Sequence, residues 1–317
     1  MTTGVVLLNM GGPESAAAVR PFLEALFADP AILPLPGVVR RPLARWIARM
    51  RAPRVVPRYE RIGGRSPLVG ITRAQAEALA GELRGGGGAW HVEPAMRYTP
   101  PRAAEALARL REKGVDRLVA LPLYPQYSEA TTGSSLRDLE RAMSEAGMAE
   151  LPWTAVRSWH DHPGYAGALA EAVRETLEGL SDPVVLFSAH SLPERAVRRG
   201  DPYLDHVKAT VEAVRERLPP VRWRLAFQSR TGPVRWIGPA VEETLAALAR
   251  EGCGAVVVVP VSFVSDHIET LYEIDVEYRA LAEDLGIGAF RRVPSLNTRP
   301  SFIRALAELV RKACPGC

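Results

Sequence analysis

Short apolar runs alternate along the chain with longer segments in which apolar positions recur every three or four residues. The first kind suits strands buried on both faces, the second helices that pack one side against a sheet. The pattern predicts strands at Gly4 to Leu8, His91 to Met96, Arg117 to Pro122, Trp153 to Arg157, Val184 to Phe187, Trp223 to Phe227 and Ala255 to Pro260. Strands and helices alternating in this way predict an α/β fold of parallel sheets flanked by helices.

The chain also repeats one plan. VVLLNMGGP, AMRYTPP and LVALPLYPQYS in the first half correspond to VVLFSAHSLP, LAFQSRTGP and VVVVPVSFVSDHIET in the second. Each apolar strand runs into a polar loop punctuated by glycine or proline. Ligands of open parallel sheets bind beyond the carboxyl ends of the strands, so the six loops are expected to line one cleft between two domains, 1–155 and 156–317. About eighty residues separate the first two strands, against about forty in the second half, which places an insertion at 34–66.

Within that insertion, residues 38–51 carry Val39, Leu43, Trp46, Ile47 and Met50 at helical spacing, with Arg40, Arg41, Arg45, Arg49 and Arg51 between them. Two readings fit a basic amphipathic helix: one that packs on the core, or a lip touching membrane headgroups or a flat apolar ligand that carries carboxylates.

Composition narrows the classes. The hydrophobic fraction of 47% in 317 residues fills the cores of two ordinary domains. Forty basic against 36 acidic residues leave a net charge of +4, too small an excess to point to nucleic acid. MTTGVVLLNM lacks the basic start of a secretion signal, and no apolar run reaches the ~18 residues a membrane span needs, so a cytoplasmic protein, soluble or peripherally bound, is expected. Three cysteines do not make a disulfide framework.

The candidate chemistry gathers in the second half. SDHIETLYEIDVEY places Asp266 and His267 ahead of Glu269, Glu273 and Glu277, which recur every four residues. On a helix, more so on one widened toward the π form, they share a ridge: a solvated face, or a path for cations or protons. His190 leaves the strand Val184 to Phe187 at a corner where an imidazole can accept protons near neutral pH. No H-E-x-x-H or paired C-x-x-C motif marks a zinc cage, but imidazole with carboxylates suits a transiently held first-row divalent ion. GGPES lacks the G-x-G-x-x-G of a dinucleotide loop, whereas YSEATTGSS offers hydroxyls and amides that either cap a helix or receive an anion.

Taken in order, LLNMGGPES, YERIGGRSPL, LPLYPQYSEATTGSS, SAHSLPE with RGDPY, FQSRTGPVRWIGP and FVSDHIETLYEID resemble the ferrochelatase family over nearly the whole chain. The resemblance implies two Rossmann-like, chelatase-type domains and insertion of Fe(II), as substrate, into protoporphyrin IX, with coproporphyrin III as the alternative porphyrin. It implies catalytic roles for His190 and Glu269, which would also meet the metal, and for Glu273 and Glu277 as an acidic relay. Met10, Trp159 and Phe263 match residues lining the macrocycle, and Arg51, Tyr59 and Ser66 a group that holds propionates or closes the pocket. Arg97 falls near the metal face, and Tyr124, Ser128, Asp266 and His267 complete the substrate-binding set. Methionine at position 10 resembles the protoporphyrin-using branch. Some members carry a [2Fe–2S] cluster on four cysteines. Here Glu129 follows YPQYS and only Cys314 and Cys317 stand in the tail, so no tightly bound cofactor is expected. A cobalt or nickel chelatase, a non-catalytic haem or porphyrin carrier, and a sugar or amino-acid binding protein are the rival readings.

Overall fold

The computed structural model describes residues 2–232 and 234–315. In chain order the first part contains β1 (Thr2–Asn9), α1 (Ala16–Phe27), α2 (Gly37–Glu60), α3 (Leu68–Gly85), β2 (Ala89–Met96), α4 (Ala103–Glu112) and β3 (Arg117–Pro122). A π-helical turn, Glu129–Gly133, then runs into α5 (Ser134–Glu145), followed by β4 (Trp153–Ala155). The second part contains α6 (Pro163–Leu177), β5 (Val184–His190), α7 (Glu194–Arg198), α8 (Tyr203–Arg215), β6 (Arg222–Gln228), α9 (Val241–Arg250) and β7 (Ala255–Pro260). A longer π-helix, Glu269–Tyr278, leads into α10 (Arg279–Asp284), β8 (Ala289–Arg292) and α11 (Pro300–Ala313).

The strands form two four-stranded sheets, ordered β2-β1-β3-β4 and β6-β5-β7-β8, and every pairing is parallel. The internal repeat thus extends to topology: the first strand of each half lies inside, between the second and third. Central strands are apolar on both faces because helices cover both, and Val5 to Leu8 and Val184 to Phe187 are all buried. All seven predicted strands are present. Trp153–Ala155 stops two residues short of the predicted end, and β8, four residues of AFRR on a sheet edge, carries no apolar run to announce it.

The chain divides into two compact units. One runs to Ser158 and takes back the segment from Ile303 onward; the other is Trp159–Phe302. The division differs from the expected 1–155 and 156–317 in the last helix. Arg311 Nη2 of α11 donates to the Glu82 carbonyl at 2.8 Å, and Leu306, Ala307 and Val310 are buried, so most of α11 belongs to the first unit.

The insertion is α2, which runs to Glu60 rather than ending near residue 51. It is packed by its small residues: Ala44 and Ala48 are fully buried, whereas Val38, Val39, Trp46 and Met50 are 84%, 51%, 62% and 55% exposed respectively. Arg45 pairs with Glu24 of α1 at 3.0 Å, and the Arg51 guanidinium lies 5.4 Å from the Phe27 ring. A stripe of alanines lets two helices approach closely, which turns the bulky side chains outward. The core-packing reading therefore does not describe Trp46 or Met50.

A buried carboxylate fastens the strand ends of the first unit. Asp29, 3% exposed, accepts from Arg97 Nη2 at 2.8 Å, Tyr98 OH at 2.9 Å, the Ala31 N–H at 2.8 Å and the Ser134 hydroxyl. Burial alone would raise its pKa, but these donors and the Arg97 charge outweigh burial and hold Asp29 below the usual carboxylate range. Segments following α1, β2 and the π-turn thus meet on one side chain. Asp29→Asn is expected to cost about 3 kcal/mol in urea melts at about pH 7, because it leaves the Arg97 charge with Asp138 alone. The folded-state value is depressed, so the contribution is present above the unfolded value near 4 and is lost as pH falls below it. The gap between variant and wild type should therefore narrow as the pH falls from the unfolded value through the depressed folded-state value.

Candidate active site

The π-helix is fixed by its apolar side. Ile274 and Tyr278 are buried in a cluster with Val184, Leu186, Ala226, Val256 and Val258 from β5, β6 and β7. That anchoring presents Glu269 and Glu273 to the carboxyl ends of the same strands, and the π-type widening that aligns acids spaced four apart spans all ten residues, Glu269–Tyr278. Extended π-helix is rare and concentrates at functional sites.

His190 is the last residue of β5, and its Nδ1 lies 2.8 Å from Glu269 Oε2. A carboxylate only accepts, so in the neutral ring Nδ1 carries the proton and Nε2 keeps its lone pair. Burial pulls the imidazole down, but the Glu269 charge and hydrogen bond override it, so His190 binds a proton more readily than a free imidazole. Burial would likewise raise Glu269, yet His190, His267 and the Ser229 hydroxyl hold it down to about 2.

Glu273 behaves in the opposite sense. Burial and the charge of Glu269 push it up, only partly offset by its hydrogen-bond donors. Those donors are the Ser229 N–H at 2.8 Å, Ser229 Oγ at 2.6 Å, Gln228 Nε2 at 3.1 Å and Tyr278 OH at 2.9 Å. Ser229 Oγ also lies 3.1 Å from Glu269 Oε2, so one hydroxyl joins the two carboxylates. Ser188 orients the Gln228 amide by donating to its Oε1 at 2.6 Å. Ser229 adopts φ +64°, a left-handed conformation that costs a non-glycine residue of order 1 kcal/mol and that here aims N–H and O–H at the same acids. Two neighbouring carboxyls with proton affinities driven apart can pass a proton in sequence.

The remaining residues of this segment divide by role. Phe263 meets the His190 ring edge-on at 6.2 Å and lies 4.4 Å from the His267 ring. His267 places Nε2 4.0 Å from Glu269, and burial lowers its proton affinity below that of a free imidazole. Asp266 is held by Arg292 at 3.0 Å and by Asn297 at 2.8 Å, and Arg292 also binds Asp275 at 2.9 Å. Asp266 therefore ties down the loop. Glu277 is half-buried, two four-residue steps beyond Glu269. Trp159, 1% exposed, meets Tyr165 edge-on at 5.1 Å and lies tilted 6.0 Å from Phe302 as a packing residue of the second unit's core.

In the first unit, Arg97 is engaged by Asp29 and by Ser134 Oγ at 2.8 Å. Ser128 caps the π-turn by accepting the Ala130 N–H at 3.3 Å, the capping use of that hydroxyl rather than a free anion site. Tyr124 and Met10 are half-buried and Tyr59 is buried. Ser66 packs against the loop after β1, where a Cβ on Gly12 would lie 2.5 Å from its hydroxyl. Gly11 has φ +81°, and a Cβ there would sit 2.1 Å from Thr99 Oγ1, so this loop needs both glycines to lie flat on its neighbours. A cluster of the kind that needs four thiolates does not fit the chain's three cysteines. Cys253 is buried with its thiol toward the Ala255 carbonyl at 3.2 Å, Cys314 is buried, and Cys317 lies outside the described residues. Gln228 and Ser229 stand in FQSRTGP with no role legible from residue type; their position at the carboxyl end of β6 was the available signal.

The fold and sequence comparisons agree. A Bacillus subtilis SirB solved with Fe3+ superposes with a TM-score of 0.61 at 10% identity, covering 99% of this chain and 96% of its own. A sirohydrochlorin chelatase SirB from Bacillus subtilis subspecies spizizenii with cobalt gives 0.56 at 13% identity, covering 99% and 96%. Likeness at such identity shows the fold alone. The ferrochelatase of Geotalea daltonii is 50% identical over 313 residues, 98% of this chain and 97% of its own length. That of a Picosynechococcus species is 46% identical over 321 residues, 99% and 83% respectively. The sequence model of the ferrochelatase family matches residues 2–314, and with it the chain belongs to the ferrochelatase family.

Proposed function

We propose that this chain inserts ferrous iron into protoporphyrin IX, with His190 as the first acceptor of the pyrrole protons. The carrying observation is the 2.8 Å contact between His190 Nδ1 and Glu269 Oε2, which leaves Nε2 as the base. A free-base porphyrin holds two N–H protons, and iron replaces both: one Fe2+ enters and two H+ leave. His190 takes a proton on Nε2, and the resulting imidazolium is stabilised by the ionised Glu269. The second proton has Glu273 as its natural station, because that acid is the more basic of the pair, and Glu277 continues the row. Neutral imidazole and carboxylate are also suitable ligands for incoming Fe2+.

Met10 favours protoporphyrin through its resemblance to that branch of the family. The exposed Val38, Val39, Trp46 and Met50 of α2, set among Arg41, Arg45 and Arg49, suit contact with an anionic membrane surface, where so apolar a porphyrin partitions. We take the protein to be cytoplasmic and peripherally membrane-associated.

Anaerobic turnover with Fe(II) should proceed faster with protoporphyrin IX than with coproporphyrin III; the reverse order would keep the reaction and replace the substrate. His190→Ala should lose at least about 100-fold in turnover while still quenching porphyrin fluorescence. Because imidazolium cannot accept a proton and His190 is raised, kcat/KM should climb with pH through a midpoint above the ordinary value of about 6.5. Co-sedimentation with phosphatidylglycerol vesicles should weaken at least several-fold in a Trp46→Glu, Met50→Glu double variant, and unchanged binding would remove the α2 contact.

A further inference from the structure

The RGDPY motif between α7 and α8 has no part in the reaction as described, yet its tyrosine reaches the centre of the site. Gly200, at φ +92°, turns the chain after α7, and Asp201 Oδ1 accepts the Tyr203 N–H at 3.1 Å where α8 begins. The Tyr203 ring is thereby directed inward and is 6% exposed. Its hydroxyl lies 2.9 Å from the His190 carbonyl and 2.6 Å from Ser262 Oγ. A carbonyl can only accept, so the phenol proton goes to His190 and the Ser262 hydroxyl donates to the phenol oxygen.

The register of the sheet explains why such a link matters. β5 and β7 pair from Val184 opposite Val256 to Ser188 opposite Pro260, and the Val261 N–H still donates to the Ser188 carbonyl at 3.0 Å. Continued by two residues, that register sets His190 opposite Ser262, where the strand ends have parted. The Tyr203 hydroxyl stands between those two positions, a side chain in the place of the next ladder bond. Beyond Ser262 come Phe263, against the His190 ring, then His267 and Glu269. We propose that Tyr203 is a positioning residue, which holds the His190 end of β5 at a fixed separation from the loop that carries Phe263 and Glu269. Burial pushes the phenol's pKa up, so the hydroxyl remains a donor at any physiological pH. Proton transfer tolerates little misplacement of the base, so loosening this link acts on the chemical step more than on porphyrin binding.

The inference rests on the reading of His190 as the base, and the test separates the two. In the full chain, Tyr203→Phe should lower kcat roughly tenfold while leaving the porphyrin dissociation constant within about twofold and the melting temperature nearly unchanged. Ser262→Ala should reproduce most of that loss, and the double variant should be no worse than Tyr203→Phe, because both remove one bridge. Independently of turnover, the His190 imidazole 15N signals should broaden or double in Tyr203→Phe, with the other histidines unmoved. Unaltered His190 signals, fully additive losses, or a fall in porphyrin affinity and melting temperature that matches the fall in kcat would each overturn the proposal. Wild-type protein that metallates neither porphyrin would defeat the proposed function, while the His190 signals would still decide the role of Tyr203.

Discussion

The site depends on a single hydrogen bond between the end of a strand and the start of a π-helix: His190 Nδ1 to Glu269 Oε2. It selects the tautomer of the imidazole, keeps Glu269 ionised despite its burial, and thereby places a negative charge beside Glu273. The rest is arranged around that consequence. Glu273 is pushed toward its protonated form, and Ser229, Gln228 and Tyr278 supply the donors that make two acids tolerable side by side. A buried pair of carboxyls would otherwise relax by moving apart. The strained backbone of Ser229 and the apolar anchoring of Ile274 and Tyr278 prevent that movement.

The two halves share sheet order, and a π-helical segment follows the third strand in each. Only the second half carries the acidic row. At the equivalent place in the first, Glu129 faces outward, bonded to Tyr127 at 2.9 Å and to Arg137. A repeated scaffold has thus been specialised on one side, with fold common to both halves and chemistry confined to a few side chains at the strand ends. The first half is specialised differently, through α2, whose alanine stripe packs on α1 and whose large apolar residues point to solvent.

Much of this was legible in the sequence. Strands buried on both faces announce themselves as apolar runs, and the repeat of strand-then-loop gave the parallel order of the halves. The acidic row and His190 stood out because both follow such strands. Features set by distant partners were hidden. Nothing in SDHIETLYEID says that Arg292 captures Asp266 and Asp275 and so leaves the glutamates to face the site. A positive φ at Ser229 has no signature in residue type, and Tyr203 becomes meaningful only once β5 and β7 lie side by side. The orientation of α2 stayed open between two readings for a related reason: periodicity finds a helix's apolar face but not which neighbour will accept it, and here Ala44 and Ala48 won the contact.

The central claim is that Glu269 sets both the tautomer and the proton affinity of His190. The direct measurement is the 15N chemical shifts of the His190 ring across pH, in wild type and in Glu269→Gln. The account predicts a protonated Nδ1 and an unprotonated Nε2 in the neutral ring, and a titration that moves to lower pH when the carboxylate is replaced. A neutral ring protonated on Nε2, or a titration that does not move, would contradict it.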